Sequence, residues 1–132
     1  MLVKPPYDII EIDKMIIELH DDWGIYDIDK TYIDYLNINN NQISFRILGS
    51  IEYCTNTGIS FQDIVNMCNI FKIILQFNNG TTRIYTPLFI DWISVDYDED
   101  RCEYYFMRNP NQISYIDGGG NLVVIINNIK EM

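Results

Sequence analysis

DIIEIDKMIIEL, residues 8–19, decides whether the N-terminal half of this chain is helical or extended. Asp8 stands three residues before Glu11, the spacing of a capping box, in which the first carboxylate accepts from first-turn amides and the second reaches back. Ile9, Ile12, Ile16 and Leu19 then recur at intervals of three, four and three, which places them on one helical face, and Gly24 offers a stop. The density of β-branched isoleucine favours strand instead. Cap and periodicity together predict a first helix beginning at Asp8.

Downstream, Thr31 to Ile38 (TYIDYLNI) predicts a strand, Asn39-Asn40-Asn41 a reversal, and Gln42 to Cys54 a second strand crossing Gly49, because asparagine tolerates the positive φ of a tight turn. After TNTG, Ser60 and Asp63 form another capping-box spacing and predict a short helix to about Asn69. Ile70 to Phe77 is an apolar run. Asn78-Asn79-Gly80 is a strong hairpin signal, TTRIY returns along it, and Pro87 breaks the returning strand. Phe89 to Tyr97 alternates across two faces, Asp98-Glu99-Asp100 makes an acidic tip, and CEYYFM runs back. Asn109-Pro110-Asn111 turns the chain into QISYID, and Gly118-Gly119-Gly120 leads to a last strand, LVVIINNI. The expected fold is α+β: one or two short helices in the N-terminal half, then an antiparallel meander of five or six strands, in a single domain over 1–132.

Length supports that expectation, since domains commonly run to about 100–150 residues and bury roughly two thirds of their unfolded surface at this size. With 48% apolar and 14% aromatic residues there is ample core material. The chain holds 25 Ile, 14 Asn and 10 Tyr, no Ala, and only five Lys. An AT-rich gene accounts for the first four numbers but would also raise lysine, so the net charge of −10 belongs to the protein rather than to its codons. Nineteen acids against nine bases repel phosphate, which argues against nucleic acid and anionic membrane as partners. The opening MLVKPPYD lacks the apolar stretch of a signal peptide and no run reaches membrane-span length, giving an expected cytoplasmic location, the host cytoplasm for a viral protein. Cys54, Cys68 and Cys102 are odd in number and lack CxxC spacing, so neither a disulfide framework nor a zinc site is expected.

Motifs for chemistry are weak. Asp96, Asp98 and Asp100 alternate as in the start of an EF-hand loop, but Arg101 stands where that loop needs glycine and Met107 where it needs its bidentate glutamate. His20 beside Asp21 and Asp22 is the sole histidine and has no recognisable nucleophile. The glycine triplet at 118–120 lacks both the P-loop lysine and the GxGxxG spacing. No catalytic residue, cofactor or metal is assigned, and the chain is expected not to be an enzyme.

Acidic residues cluster in two blocks, nine at 8–34 against Lys14 and Lys30, and six at 91–103 against Arg101. On one side of the fold they would make an acidic face with Trp23, Tyr26, Tyr32 and Tyr97 as aromatic anchors. The expected partner-binding residues are Asp21, Asp22, Trp23, Tyr26, Asp96, Tyr97, Asp98, Glu99, Asp100 and Glu103. The corresponding function is an acidic protein-interaction module, such as a viral or mobile-element accessory protein that inhibits a basic, nucleic-acid-binding protein. The alternative is a self-associating structural or virion-type protein, a homodimer or scaffold component held through an exposed strand edge, to which LVVIINNI is suited, or through its aromatic face.

Overall fold

Residues 12–19 form a strand, β1 (Ile12–Leu19), whose buried side chains are Ile12, Met15, Ile17 and Leu19. The alternation is regular from Met15 onward, and a register irregularity between Ile12 and Lys14 brings Ile12 onto the same face. Ile12, Ile16 and Leu19 satisfy a helical stripe, but the fully buried Met15 and Ile17 lie off it, and Ile16 faces outward opposite Ile74. Antiparallel neighbours flank β1 on both sides and satisfy its backbone, and that outweighs local helical spacing. The expected first helix is therefore corrected to a strand, while its cap at Asp8 and Glu11 lies outside the described residues. The computed structural model describes residues 12–19, 24–49, 60–67, 69–88 and 111–132.

These residues form two antiparallel sheets. The first is ordered β2 (Ile25–Asp29), β1, β5 (Ile70–Phe77), β6 (Thr82–Pro87), β9 (Ile129–Glu131). The second is ordered β3 (Ile33–Asn39), β4 (Gln42–Ile47), β8 (Leu122–Ile126), β7 (Gln112–Ile116). A single 3-10 turn (Lys30–Tyr32) and one helix, α1 (Phe61–Met67), complete the described elements. The α+β class is thus replaced by a mostly β architecture. The C-terminal meander also divides: β5 and β6 belong to the first sheet, β7 and β8 to the second, and β9 returns to the first. The strands expected between Phe89 and Met107 lie outside the described residues.

One core joins the two sheets. Met15, Ile17, Ile28, Ile73, Leu75 and Tyr85 come from the first sheet, and Ile43, Phe45, Ile47, Leu122, Val124 and Ile126 from the second. Burial of each such large apolar side chain contributes roughly 1.5–3 kcal/mol. From α1, Phe61, Ile64 and Val65 enter the same core. Its start is capped as its sequence implied, with Ser60 Oγ accepting from the Asp63 amide (3.2 Å) and donating to Asp63 Oδ2 (2.8 Å).

LVVIINNI is not an edge strand. Its first five residues, β8, run between β4 and β7, and the chain then changes sheets at Asn127-Asn128, where Asn128 takes φ 54°. Hydrogen bonds from Leu88 N to Asn128 O (2.7 Å) and from Ile129 N to Asn41 O (2.9 Å) hold the crossing. Gln112 on β7 ties the layers at another point, its Oε1 accepting from Ile70 N on β5 (2.7 Å).

Candidate functional site: the outer face of the four-stranded sheet

Cross-strand register sorts the outward side chains of the second sheet into rows. One row reads Ile113, Ile125, Ser44, Asn37 and the next Tyr115, Val123, Arg46, Asp34, each in order β7, β8, β4, β3. The face is therefore apolar over β7 and β8 and polar over β4 and β3. Ile113 and Tyr115 remain about half exposed, at 50% and 47%. Beyond the apolar rows lies an amide row, in which Gln42 Nε2 donates to Asn127 Oδ1 (2.7 Å).

The polar half is organised around Arg46. Its Nε and Nη2 donate to Asp34 Oδ1 (2.8 Å) and Oδ2 (2.6 Å), a bidentate pair, and Nη1 lies 3.5 Å from Asp117 Oδ2. The Asp34 hydrogen bonds raise the guanidinium pKa above its already high ordinary value. Asp117 in turn closes the β7–β8 loop: its Oδ1 accepts from Asn121 N (3.0 Å) and Gly119 N (2.9 Å). Those backbone donors, Asn121 first, hold the Asp117 carboxyl below its usual range, and Arg46 adds to the effect.

Tyr35 completes the site. Between the pairs Asp34–Arg46 and Asn37–Ser44, two residues of β3 oppose one of β4, a β-bulge, and Tyr35 within it has φ 53°. The left-handed conformation costs a non-glycine residue of this kind about 1–2 kcal/mol. The ring lies 4.5 Å from the Arg46 guanidinium and stays 68% exposed. An aromatic side chain is thus presented to solvent from a strained backbone on top of a neutralised cation, a combination suited to recognition.

The loop beside this face is rigidly seated. Gly49 N donates to Asn121 Oδ1 (3.0 Å), Gln62 Nε2 donates to Gly120 O (3.0 Å), and a Cβ on Gly49 would stand 2.5 Å from that carbonyl oxygen. Only glycine permits the approach.

Of the residues expected to bind a partner, Tyr26 alone is described. It is half-buried on β2 with its ring edge-on to Phe61 (centroids 4.8 Å apart, planes at 68°), so part of its surface is spent on the core. Tyr32 also packs partly against the core. Asp21, Asp22, Trp23, Asp96, Tyr97, Asp98, Glu99, Asp100 and Glu103 lie outside the described residues, as do His20 and the three cysteines. Tyr35, Arg46 and Asp117 escaped sequence reasoning. Asp117 ahead of three glycines was a signal for a side-chain-capped loop, whereas nothing local marks Tyr35 as a bulge residue. Among the described residues, no three His, Cys, Asp or Glu side chains gather as metal ligands, and no helix is long and apolar enough to cross a membrane.

The chain matches no protein family, no curated protein and no solved structure.

Proposed function

We propose that this protein is a non-enzymatic interaction module whose negative charge engages a basic protein partner, in the form of an accessory protein that inhibits a nucleic-acid-binding protein. The observation that carries this is where the charge lies. The described residues hold eight of the 19 acids (Asp13, Glu18, Asp27, Asp29, Asp34, Asp63, Asp117, Glu131) and six of the nine bases, leaving eleven acids against three bases in the other segments. Four of those six bases are engaged by carboxylates: Lys14 with Asp27, Lys72 with Glu18, Arg83 with Glu131, and Arg46 with Asp34 and Asp117. The two sheets nearly balance their own charge, so the surplus is not required to hold them together. It is available for long-range attraction, and an exposed face bearing Tyr35, Tyr115 and Ile113 supplies the short-range apolar contact that charge alone does not.

The test is capture of binding proteins on the immobilised chain at low and at high salt, repeated with Asp96, Asp98 and Asp100 changed to Asn. Recovery of one stoichiometric basic protein that salt releases, and that the variant retains poorly, supports the proposal. Capture indifferent both to salt and to those three substitutions overturns it.

A further inference from the structure

Asn79 is followed by Gly80, and no other asparagine of the chain precedes a glycine. Glycine has no Cβ to shield its amide, so its nitrogen is the least hindered nucleophile a backbone can offer. In the β5–β6 reversal the side-chain amide of Asn79 is held over that nitrogen. Asn79 Oδ1 accepts from Thr81 N (3.1 Å) and from Thr81 Oγ1 (2.7 Å), which folds the side chain across the intervening Gly80 peptide. The same two donors polarise the side-chain carbonyl. They are aimed at the oxygen that becomes negative when Cγ is attacked.

Residues 78–82 are exposed, so water and hydroxide reach the reversal. Gly80 takes φ 87°, and among the described residues nothing stands within 4 Å of the place its Cβ would occupy. Its amide donates to Phe77 O (3.1 Å), a single bond in an exposed turn that opens far more readily than the sheet does.

From this arrangement we infer that Asn79 is a site of spontaneous deamidation in the folded protein, with Thr81 as its positioning residue. Hydroxide takes the Gly80 amide proton, and the Gly80 nitrogen bonds to Asn79 Cγ. The bond from Cγ to Nδ2 breaks, ammonia leaves with a proton from water, and a succinimide ring remains. Water then opens the ring on either side of the Gly80 nitrogen. Cleavage of its bond to Cγ gives aspartate in an unchanged main chain. Cleavage of its bond to the Asn79 carbonyl carbon gives isoaspartate, in which the main chain runs through the side chain and is one carbon longer. No electrons are exchanged.

The two products act differently on the fold. Aspartate still offers an oxygen to both Thr81 donors. Isoaspartate lengthens the reversal and disturbs the register of β6 against β5, where Gln76 faces Thr82 and Leu75 faces Arg83. β9 pairs with β6 on its other side, so the disturbance reaches that strand as well. Either product adds one negative charge to a chain already at −10.

Asp117-Gly118 is the internal contrast. The Asn121 and Gly119 amides and Arg46 hold the Asp117 carboxyl below its usual range, so it stays ionised, and a carboxylate that already carries negative charge resists attack.

The experiment is incubation of the full folded chain at mildly alkaline pH for several weeks, with peptide mapping by mass spectrometry that separates aspartate from isoaspartate. The native protein, Thr81→Val and Thr81→Ser are compared, and circular dichroism checks that each stays folded. The expected result is conversion at Asn79 with both products present, several-fold slower in Thr81→Val and near the native rate in Thr81→Ser, which keeps the hydroxyl donor, while Asp117 shows no isoaspartate. If Thr81→Val loses its β-sheet signal, Thr81→Ala replaces it. A native chain whose Asn79 keeps its amide throughout overturns the inference, and so does a folded Thr81→Val that converts as fast as the native protein or faster.

Discussion

Arg46 on β4 and Asp34 on β3 are direct cross-strand partners, and the guanidinium of the first grips the carboxylate of the second through two parallel hydrogen bonds of 2.8 and 2.6 Å. The pair sits beside Asp117, so Arg46 separates two acids that would otherwise face each other. Arg46→Met keeps the aliphatic stem and removes the charge, and is expected to lower the unfolding midpoint by a few degrees at neutral pH. Adding Asp34→Asn to that variant recovers part of the loss, because the repulsion between Asp34 and Asp117 goes with it. Thermal melts of the two single variants and the double variant check this.

Tyr35 gives a test of strain against contact. Asparagine tolerates the left-handed region, so Tyr35→Asn relieves about 1 kcal/mol of backbone strain while forfeiting roughly 0.5–1 kcal/mol of stacking on Arg46. Tyr35→Ala forfeits the stacking and keeps the strain. Chemical denaturation is expected to rank the Asn variant about 1 kcal/mol above the Ala variant and close to the native protein.

Gly49→Ala pushes a methyl against the Gly120 carbonyl, 2.5 Å from where its Cβ must stand. Either the β7–β8 loop lifts or β4 shifts at its end, at an expected cost of about 1–3 kcal/mol. Urea titration of the alanine variant measures it, and Gly120→Ala, whose Cβ would meet nothing within 4 Å but whose φ is 79°, separates steric from conformational cost.

Among the described residues, three carboxyls have folded pKa values below their ordinary ones: Asp117 and Asp29 (ordinarily 3.8), each mainly through a backbone amide donor, and Glu131 (ordinarily 4.5) through Arg83. A depressed carboxyl contributes stability above its unfolded pKa and loses it as pH falls through the folded one. Stability is therefore expected to hold from about pH 5 upward and to decline below about pH 4. Asp117→Asn, which can still accept from Gly119 and Asn121, flattens part of that acid limb. At the other extreme, Tyr85 is buried, and burial raises the pKa of its hydroxyl, with the neighbouring Glu131 adding to the effect. Its contribution is complete below the unfolded value of 10 and is lost as pH rises through the folded one. Denaturation midpoints across the pH range test both limits.

Met15→Ala and Ile16→Ala distinguish strand from helix at 12–19. Met15 is fully buried, and its truncation is expected to cost about 2–5 kcal/mol. Ile16, on the opposite face, costs less. A helix presenting Ile9, Ile12, Ile16 and Leu19 to the core would reverse that order.

The same segment explains why some elements were legible in the sequence and others were not. Ile70–Phe77 and its return through Asn78-Asn79-Gly80 were readable because an apolar run, a three-residue reversal ending in glycine and a breaking proline are all local. Ser60 and Asp63 marked α1 for the same reason. In residues 8–19 the isoleucines fit two periods at once, and what selects the strand is the presence of β2 on one side and β5 on the other, the latter about sixty residues away in the chain. The division into two sheets rests on pairings of that range. Asn127-Asn128 was visible as a turn signal inside LVVIINNI, yet only the partner strands show that the chain leaves one layer there and enters the other. Tyr26 was singled out as a contact residue and packs half against Phe61, whereas the aromatic on the exposed bulge is Tyr35, whose position depends on a count of residues against β4.

The crossing at Asn128 also fixes the order in which this protein can be completed during synthesis. Until residues 122–126 are available, β4 and β7 lack the strand that joins them, and the first sheet waits still longer for β9. The isoleucine-rich strands made earlier must therefore wait for their sheet neighbours until the residues of β8 and β9 are available. Closure of the two sheets is therefore one late event, and until it happens the apolar faces of the earlier strands are open to aggregation.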